Sequence, residues 1–157
     1  MRAVLCLGSN LDEPFLQLEK AIRFLESKCY ITILKKGKAI MTKPYGFTEQ
    51  PDFANQLIQI DTSLSAMELL LFIKNMEIEL GRKPSFKWGP RLIDIDIVFY
   101  EDEIVKSNNL IIPHPGVMQR EYLLRMLKEL IPDYVHPEHK QTIDTIYNNL
   151  IKSGGIQ

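Results

Sequence analysis

Two aspartates, Asp94 and Asp96, lie two residues apart in the run Ile93-Asp94-Ile95-Asp96-Ile97-Val98-Phe99-Tyr100. That run is apolar and β-branched enough to predict a buried strand. Residues i and i+2 of a strand share a face, so the two carboxylates converge on one point. Like charges there repel and lose hydration unless a cation or a hydrogen-bond network compensates them. Oxygen-only ligands suit a hard cation, Mg²⁺ above all. The plainer reading pairs one aspartate with Arg91 or Lys87 and leaves the other at a solvated edge. It suits isolated aspartates better than an Asp-x-Asp inside so apolar a run.

The segment Gly81-Arg82-Lys83-Pro84-Ser85-Phe86-Lys87-Trp88-Gly89-Pro90-Arg91 precedes the pair. Cationic and aromatic side chains beside two carboxylates suit a polyphosphate that must be both neutralised and positioned. Its Gly and Pro content suits a lid that excludes water on closing. Glu77, four residues before Gly81, falls on the polar side of its helix and reads by spacing as surface. Gly8-Ser9-Asn10-Leu11 reads as a plain strand-to-helix turn, since no Walker spacing occurs in the chain. His114, held between two prolines, is placed to present its ring from a rigid loop. His136-Pro137-Glu138-His139 reads as surface loop, because Pro137 prevents a helix from carrying both histidines on one face. No serine or cysteine has a recognisable nucleophilic partner.

The elements that must position these groups follow from periodicity. Ala3-Leu7 reads as a strand. A helix follows, with Asp12 or Glu13 near its cap, Pro14 in its first turn and Phe15, Leu18, Ile22 and Leu25 as its apolar stripe. Tyr30-Ile40 reads as a second strand with a weak Lys35-Lys36-Gly37 middle, Thr42-Phe53 as a long functional loop, and Ala54-Ile60 as a third strand. Ser65 and Glu68 form a capping-box signature for a helix ended by Gly81. After the aspartate strand come a short hairpin around Glu101-Glu103 and helices near Val117-Leu130 and Thr142-Ile151. The order β-α-β-β-α-β predicts an α+β, ferredoxin-like antiparallel sheet with helices packed on one face, plus a C-terminal hairpin and helices. The other face is then available for a site.

At 157 residues the chain fits one domain, read as 1–157, with a full core. A net charge of −1 gives no global field that favours nucleic acid or a membrane surface. Apolar runs are too short to span a bilayer, and the N-terminus reads as strand rather than signal peptide. Two cysteines make no disulfide framework, which favours a cytoplasmic protein.

Taken together, Gly8-Ser9-Asn10-Leu11, Gln50-Pro51-Asp52-Phe53-x-Asn55, Glu77-x-x-x-Gly81-Arg82, Trp88-Gly89-Pro90-Arg91-x-x-Asp94-x-Asp96 and Pro113-His114…Arg120 occur in the order and spacing of one family. The chain closely resembles the 6-hydroxymethyl-7,8-dihydropterin pyrophosphokinases of folate biosynthesis, from about residue 2 to past residue 130. The resemblance implies transfer of a pyrophosphoryl group from ATP to the pterin hydroxymethyl oxygen, with release of AMP. It also implies a ferredoxin-like fold with three mobile loops and two Mg²⁺ ions held by Asp94 and Asp96. By family position, Arg82, Arg91, Asp94 and Asp96 are catalytic. Lys74, Glu77, Trp88, Arg91, Ile97, His114 and Arg120 fall at ATP-side positions. The pterin side takes Gly8, Thr42, Pro44, Tyr45, Phe53, Asn55, Trp88, Asp94 and Tyr122. Phe53 and Tyr122 are expected to stack on the ring, and Asn55 to offer donor and acceptor to its amide edge.

Family members often carry a second arginine two residues after the Arg82 position, where this chain has Pro84, and the loop is one residue shorter. Asn109 stands where a basic ATP contact is common. Lys83 or Lys87 is expected to substitute in part. The expected partners are the two small substrates, with no nucleic acid or membrane, and the chain reads as a monomer. Two other readings are a palm-like nucleotidyltransferase and a non-catalytic ferredoxin-like binding module. Near-neutral charge weighs against the first, and the lack of exposed strand aromatics of the RNP type against the second.

Overall fold

The computed structural model describes residues 1–44 and 46–154. Strand β1 (Arg2–Ser9) lies between β4 (Phe53–Thr62) and β5 (Asp94–Tyr100), antiparallel to both. Outside β4 the chain adds β2 (Ile31–Lys36) and β3 (Ile40–Thr42), giving the order β2-β4-β1-β5 with β3 also on β4. The expected single strand over 30–40 is thus two strands on one edge. Lys35 and Lys36 stay in the β4 ladder and the break follows at Gly37, whose N–H still donates to the Leu57 carbonyl at 2.7 Å while its carbonyl accepts from Gln56 Nε2. The two strands together take one ferredoxin-like position, and the β-α-β-β-α-β plan holds.

Helices α1 (Pro14–Glu26) and α2 (Ala66–Glu79) cover one face of this sheet. Leu5 and Leu7 of β1, Ile58 and Ile60 of β4, and Ile95 and Ile97 of β5 meet Leu18, Leu25, Leu69 and Ile73 there. Helix α2 opens with the capping box its sequence signals, Ser65 and Glu68 each accepting from the other's backbone N–H. Helix α1 departs from expectation in its first turn. Phe15 is exposed, and Gln17 turns inward instead, donating from Nε2 to the Asp12 carbonyl.

The second face is not left open. Helices α3 (Glu121–Leu130) and α4 (Ile143–Lys152) pack on it against Val4, Leu57, Val98 and Phe99. Burial on both sides explains why β5 reads as a continuous apolar run. The helix expected over 117–130 is broken: a 3₁₀ turn (Pro115–Met118) ends before Arg120, whose extended backbone (φ −122°) caps α3. Two short strands, β6 (Val105–Lys106) and β7 (Ile111–Ile112), form the hairpin just beyond the expected turn at 101–103. The 136–139 segment also differs from its surface reading. His136 is buried edge-on to Phe99, its Nδ1 accepting from the backbone N–H groups of Glu138 and His139. Burial pushes its imidazole down to about 4.

Leu5 sits at the centre of β1 with no exposed surface. Leu5→Ala should lower the stability to unfolding by about 2–5 kcal/mol. The fall would be read from the urea midpoint at an unchanged m-value.

Candidate active site

The register of β1 brings the site residues together before any side chain is considered. Gly8 pairs with Asn55 on one side and Asp94 on the other, and Cys6 pairs with Leu57 and Asp96. Directly paired residues share a face, so Asn55, Gly8, Asp94, Cys6 and Asp96 all lie on the α3 side. At the α3 end that face is core. At the other end it is the floor of a cavity of about 390 Å³. Gly8 keeps the floor low, since a Cβ there would stand 3.1 Å from Asn55 Oδ1.

Asp94 is held by two arginines. Arg91 Nη1 donates to its Oδ2 at 2.9 Å and Arg82 Nη1 to its Oδ1 at 3.1 Å. The same Arg82 nitrogen donates to Glu77 Oε2 at 2.8 Å, and that oxygen also accepts from the Ile95 backbone N–H. Glu77 is therefore not a surface residue. It is 2% exposed, beneath the start of β5. Burial pushes its carboxyl above the ordinary range, while Arg82 and the Ile95 N–H pull it back.

Asp96 follows two residues on along the same face. The cavity walls desolvate it and Asp94 adds a like charge, so its carboxyl is pushed up to about 7, with Arg120 opposing. Solvent still reaches 41% of the side chain; the desolvation comes from the concave protein surface around it rather than from a sealed interior. His114 Nε2 stands 3.8 Å from Asp96 Oδ2. His114 Nδ1 accepts from the Gly116 N–H at 2.9 Å, which leaves the ring proton on Nε2. Burial and Arg120 push this histidine down to about 4, so it is a neutral donor near pH 7. Cys6, beside Asp96, has its thiol pushed up by burial and is no nucleophile.

Three loops are tied around this floor by Asn10, which is buried. Its backbone N–H donates to the Arg91 carbonyl, and its Oδ1 accepts from the Arg91 N–H at 2.9 Å. Its Nδ2 donates to Gln50 Oε1 and to the Pro51 carbonyl, each at 2.9 Å. On the opposite wall Asn55 donates through Nδ2 to Thr42 Oγ1, leaving its Oδ1 beside Gly8.

Of the residues singled out from sequence, Gly8, Thr42, Phe53, Asn55, Arg82, Trp88, Arg91, Asp94, Asp96, His114, Arg120 and Tyr122 line the one cavity. Lys74, Glu77 and Pro44 do not. Lys74 is an exposed residue of α2, 4.0 Å from Glu77 Oε1. Ile97 points to the opposite face and packs in the core, as strand alternation requires. Tyr45 lies outside the described residues. Sequence reasoning missed Cys6, Lys43, Val98, Pro115, Gly116, Gln119 and Leu123 among the lining residues. For Cys6 the signal was available: it is two residues from Gly8 on the same strand.

Among the described residues no three His, Cys, Asp or Glu side chains close around one metal-sized point. Two adjacent carboxylates in a desolvated cavity still fit Mg²⁺, which keeps most of its positions for water and phosphate oxygens. In the ligand-free protein Asp96 binds its proton more tightly folded than unfolded. Its stabilising contribution is therefore complete below its ordinary pKa of 3.8 and is lost as pH rises through about 7. Asp96→Asn should raise the ligand-free Tm above that of the parent beyond pH 7, with the two converging at acidic pH. Calorimetric scans in a chelator check this, and a pH-independent difference would contradict it.

The family model of the 7,8-dihydro-6-hydroxymethylpterin-pyrophosphokinases (HPPK) matches residues 4–132. The chain is 40% identical over 137 residues to a 2-amino-4-hydroxy-6-hydroxymethyldihydropteridine pyrophosphokinase of Aquifex aeolicus, covering 87% of this chain and 84% of that one. It is 35% identical over 128 residues to the Bacillus subtilis protein of the same description, covering 82% and 77%. In three dimensions it resembles Plasmodium falciparum HPPK-DHPS with pteroate, at a TM-score of 0.77 and 17% identity. That alignment takes in 96% of this chain but 42% of the other, and it speaks to the fold alone. With an antiparallel sheet of that plan and a matched segment reaching from the first strand to past the third helix, the chain belongs to the 7,8-dihydro-6-hydroxymethylpterin-pyrophosphokinase family.

Proposed function

We propose that the chain transfers a pyrophosphoryl group from ATP to the hydroxymethyl oxygen of 6-hydroxymethyl-7,8-dihydropterin in folate biosynthesis, acting as one domain and in the cytoplasm. The observation that carries the assignment of roles is the Asp94–Asp96 pair, set at the floor of a cavity with Arg82, Arg91 and Arg120 around it. In balanced form, the pterin oxygen bonds to the β-phosphorus of ATP. The bond from that phosphorus to the α,β-bridging oxygen breaks, and AMP leaves with the bridging oxygen.

Asp94 and Asp96 are the ligands for Mg²⁺, for which two ions are assigned. Bound there, Mg²⁺ would neutralise and polarise the phosphate oxygens of ATP. Arg82 and Arg91 donate to Asp94, and the same N–H groups are the donors for phosphate oxygens once a cation takes that carboxylate. Glu77 works through Arg82, fixing its starting position, rather than by touching the nucleotide. His114, neutral with its proton on Nε2, donates a hydrogen bond without adding charge. Asp96 borders the same space and offers a carboxylate to the proton leaving the pterin hydroxyl.

On the other side of the cavity, Phe53, Tyr122 and Trp88 offer aromatic surface to a flat bicyclic ring. Asn55, with Oδ1 and Nδ2 both near the floor, can accept from and donate to its amide edge. Thr42 lines the same cavity, and Pro44 and Tyr45 are assigned to the pterin by family position alone. Lys87 Nζ lies over the Trp88 ring at 5.4 Å, which puts a cation at the lid where Pro84 replaces an arginine.

Incubation with ATP, Mg²⁺ and the hydroxymethyl pterin should yield AMP and pterin diphosphate; ADP as the nucleotide product would refute the reading. Asp94→Asn and Asp96→Asn should each lower kcat/KM by on the order of 10²-fold or more, with the far-ultraviolet circular dichroism unchanged. Full activity in both variants would refute the metal assignment.

A further inference from the structure

Among the described residues, the 81–91 segment and the segment before β4 touch at three places away from the carboxylates. Gln50 is the first: while Asn10 holds its Oε1, its Nε2 donates to the carbonyls of both Phe47 and Trp88. Trp88 itself has φ +65°, a left-handed backbone that a bulky residue adopts only where its surroundings hold it. Gly46 is the second: with φ +84° it lies so close to the indole that a Cβ would stand 2.7 Å from Trp88 Cγ. Phe47 and Phe86 are the third, ring centroids 5.1 Å apart and planes at 87°.

The third contact differs from the others. Phe47 is 37% exposed and Phe86 57%, so neither belongs to the core. Both are apolar rings at the tips of loops, where solvent-facing side chains are the default. Their edge-to-face geometry is nonetheless the favourable one for an aromatic pair. Phe86 is linked directly to the site, because its carbonyl accepts from the Gly89 N–H at 2.9 Å and so closes the turn that carries Trp88. One loop leads into Thr42 and Lys43 of the cavity lining; the other carries Arg82, Trp88 and Arg91 of the same lining.

We propose that Phe47 and Phe86 are positioning residues whose contact fastens these two loops into one closing body. Pterin occupancy then raises nucleotide affinity, and the reverse, by the same factor. The physical basis is entropic: ordering one loop leaves less to be ordered in the other when the second substrate arrives. The inference rests on the reading that ATP and the pterin share this cavity.

The test is calorimetric titration of a non-hydrolysable ATP analogue with Mg²⁺, with and without saturating hydroxymethyl pterin, and the reciprocal titration. The parent should show tighter binding of each ligand in the presence of the other. Phe47→Ala and Phe86→Ala should each shrink that coupling factor by about 2- to 12-fold, the worth of one aromatic pair. The double variant should lose no more than either single one, and Phe86→Tyr should keep the parental factor. If the parent binds neither ligand, the reading of the cavity fails. If it binds both but the single variants keep its coupling factor, or the double variant loses the sum of the two, the fastening role alone fails.

Discussion

Asp94 and Asp96 share a face because β5 is a strand, and no side-chain choice can separate them without breaking its pleat. Much of the site can be read as a response to that placement. The first carboxylate is paired with protein cations, Arg82 and Arg91. The second has a neutral histidine at 3.8 Å and is driven toward protonation. The pair is therefore unequal before any ligand arrives. Arg82 is shared between Glu77 and Asp94, so moving it toward a phosphate does not strand a buried acid in isolation: the Ile95 N–H still serves Glu77.

The sheet can host this arrangement because one of its faces is divided by register. The row of Val4 and Phe99 is covered by the C-terminal helices, and the cavity begins at Cys6, Asp96 and Val98. Rows toward the other end carry Gly8, Asn55 and Asp94 and are left concave. The break between the 3₁₀ turn and α3 falls at this frontier and brings Arg120 to the cavity lining. Asn10 then secures the loops above the floor with backbone and side-chain bonds to Arg91, Gln50 and Pro51. A rigid floor under loops tied to one another at few points is the combination that lets a site exclude water and still exchange substrates.

The elements legible in the sequence were those with a period or a cap. The α2 capping box, the alternation of Leu57 against Ile58 and Ile60, and the two-residue spacing of the aspartates are local patterns with local causes. The motif blocks added the family and most of the cavity lining. Breaks were less legible: the gap between β2 and β3 and the interruption before Arg120 depend on what packs across them. Phe15 and His136 failed for a related reason. An apolar side chain in the first turn of α1 had no neighbour to cover it, and a histidine in a polar loop found one in Phe99.

Glu77 is the most instructive of these. By helical spacing a charged residue is assigned outward, since burying a lone carboxylate is unfavourable. That inference holds only while the acid is alone. Here the compensating groups are a guanidinium five residues on and a backbone N–H eighteen residues on, at the first turn of the lid and the first residues of β5. Neither lies on the helix whose pattern was being read. A buried acid of this kind carries no local signature, because its stability comes from partners that only the folded chain assembles. Where such an acid sits next to a loop of arginines, its burial is better read as a means of setting where those arginines rest than as a core residue with an accidental charge.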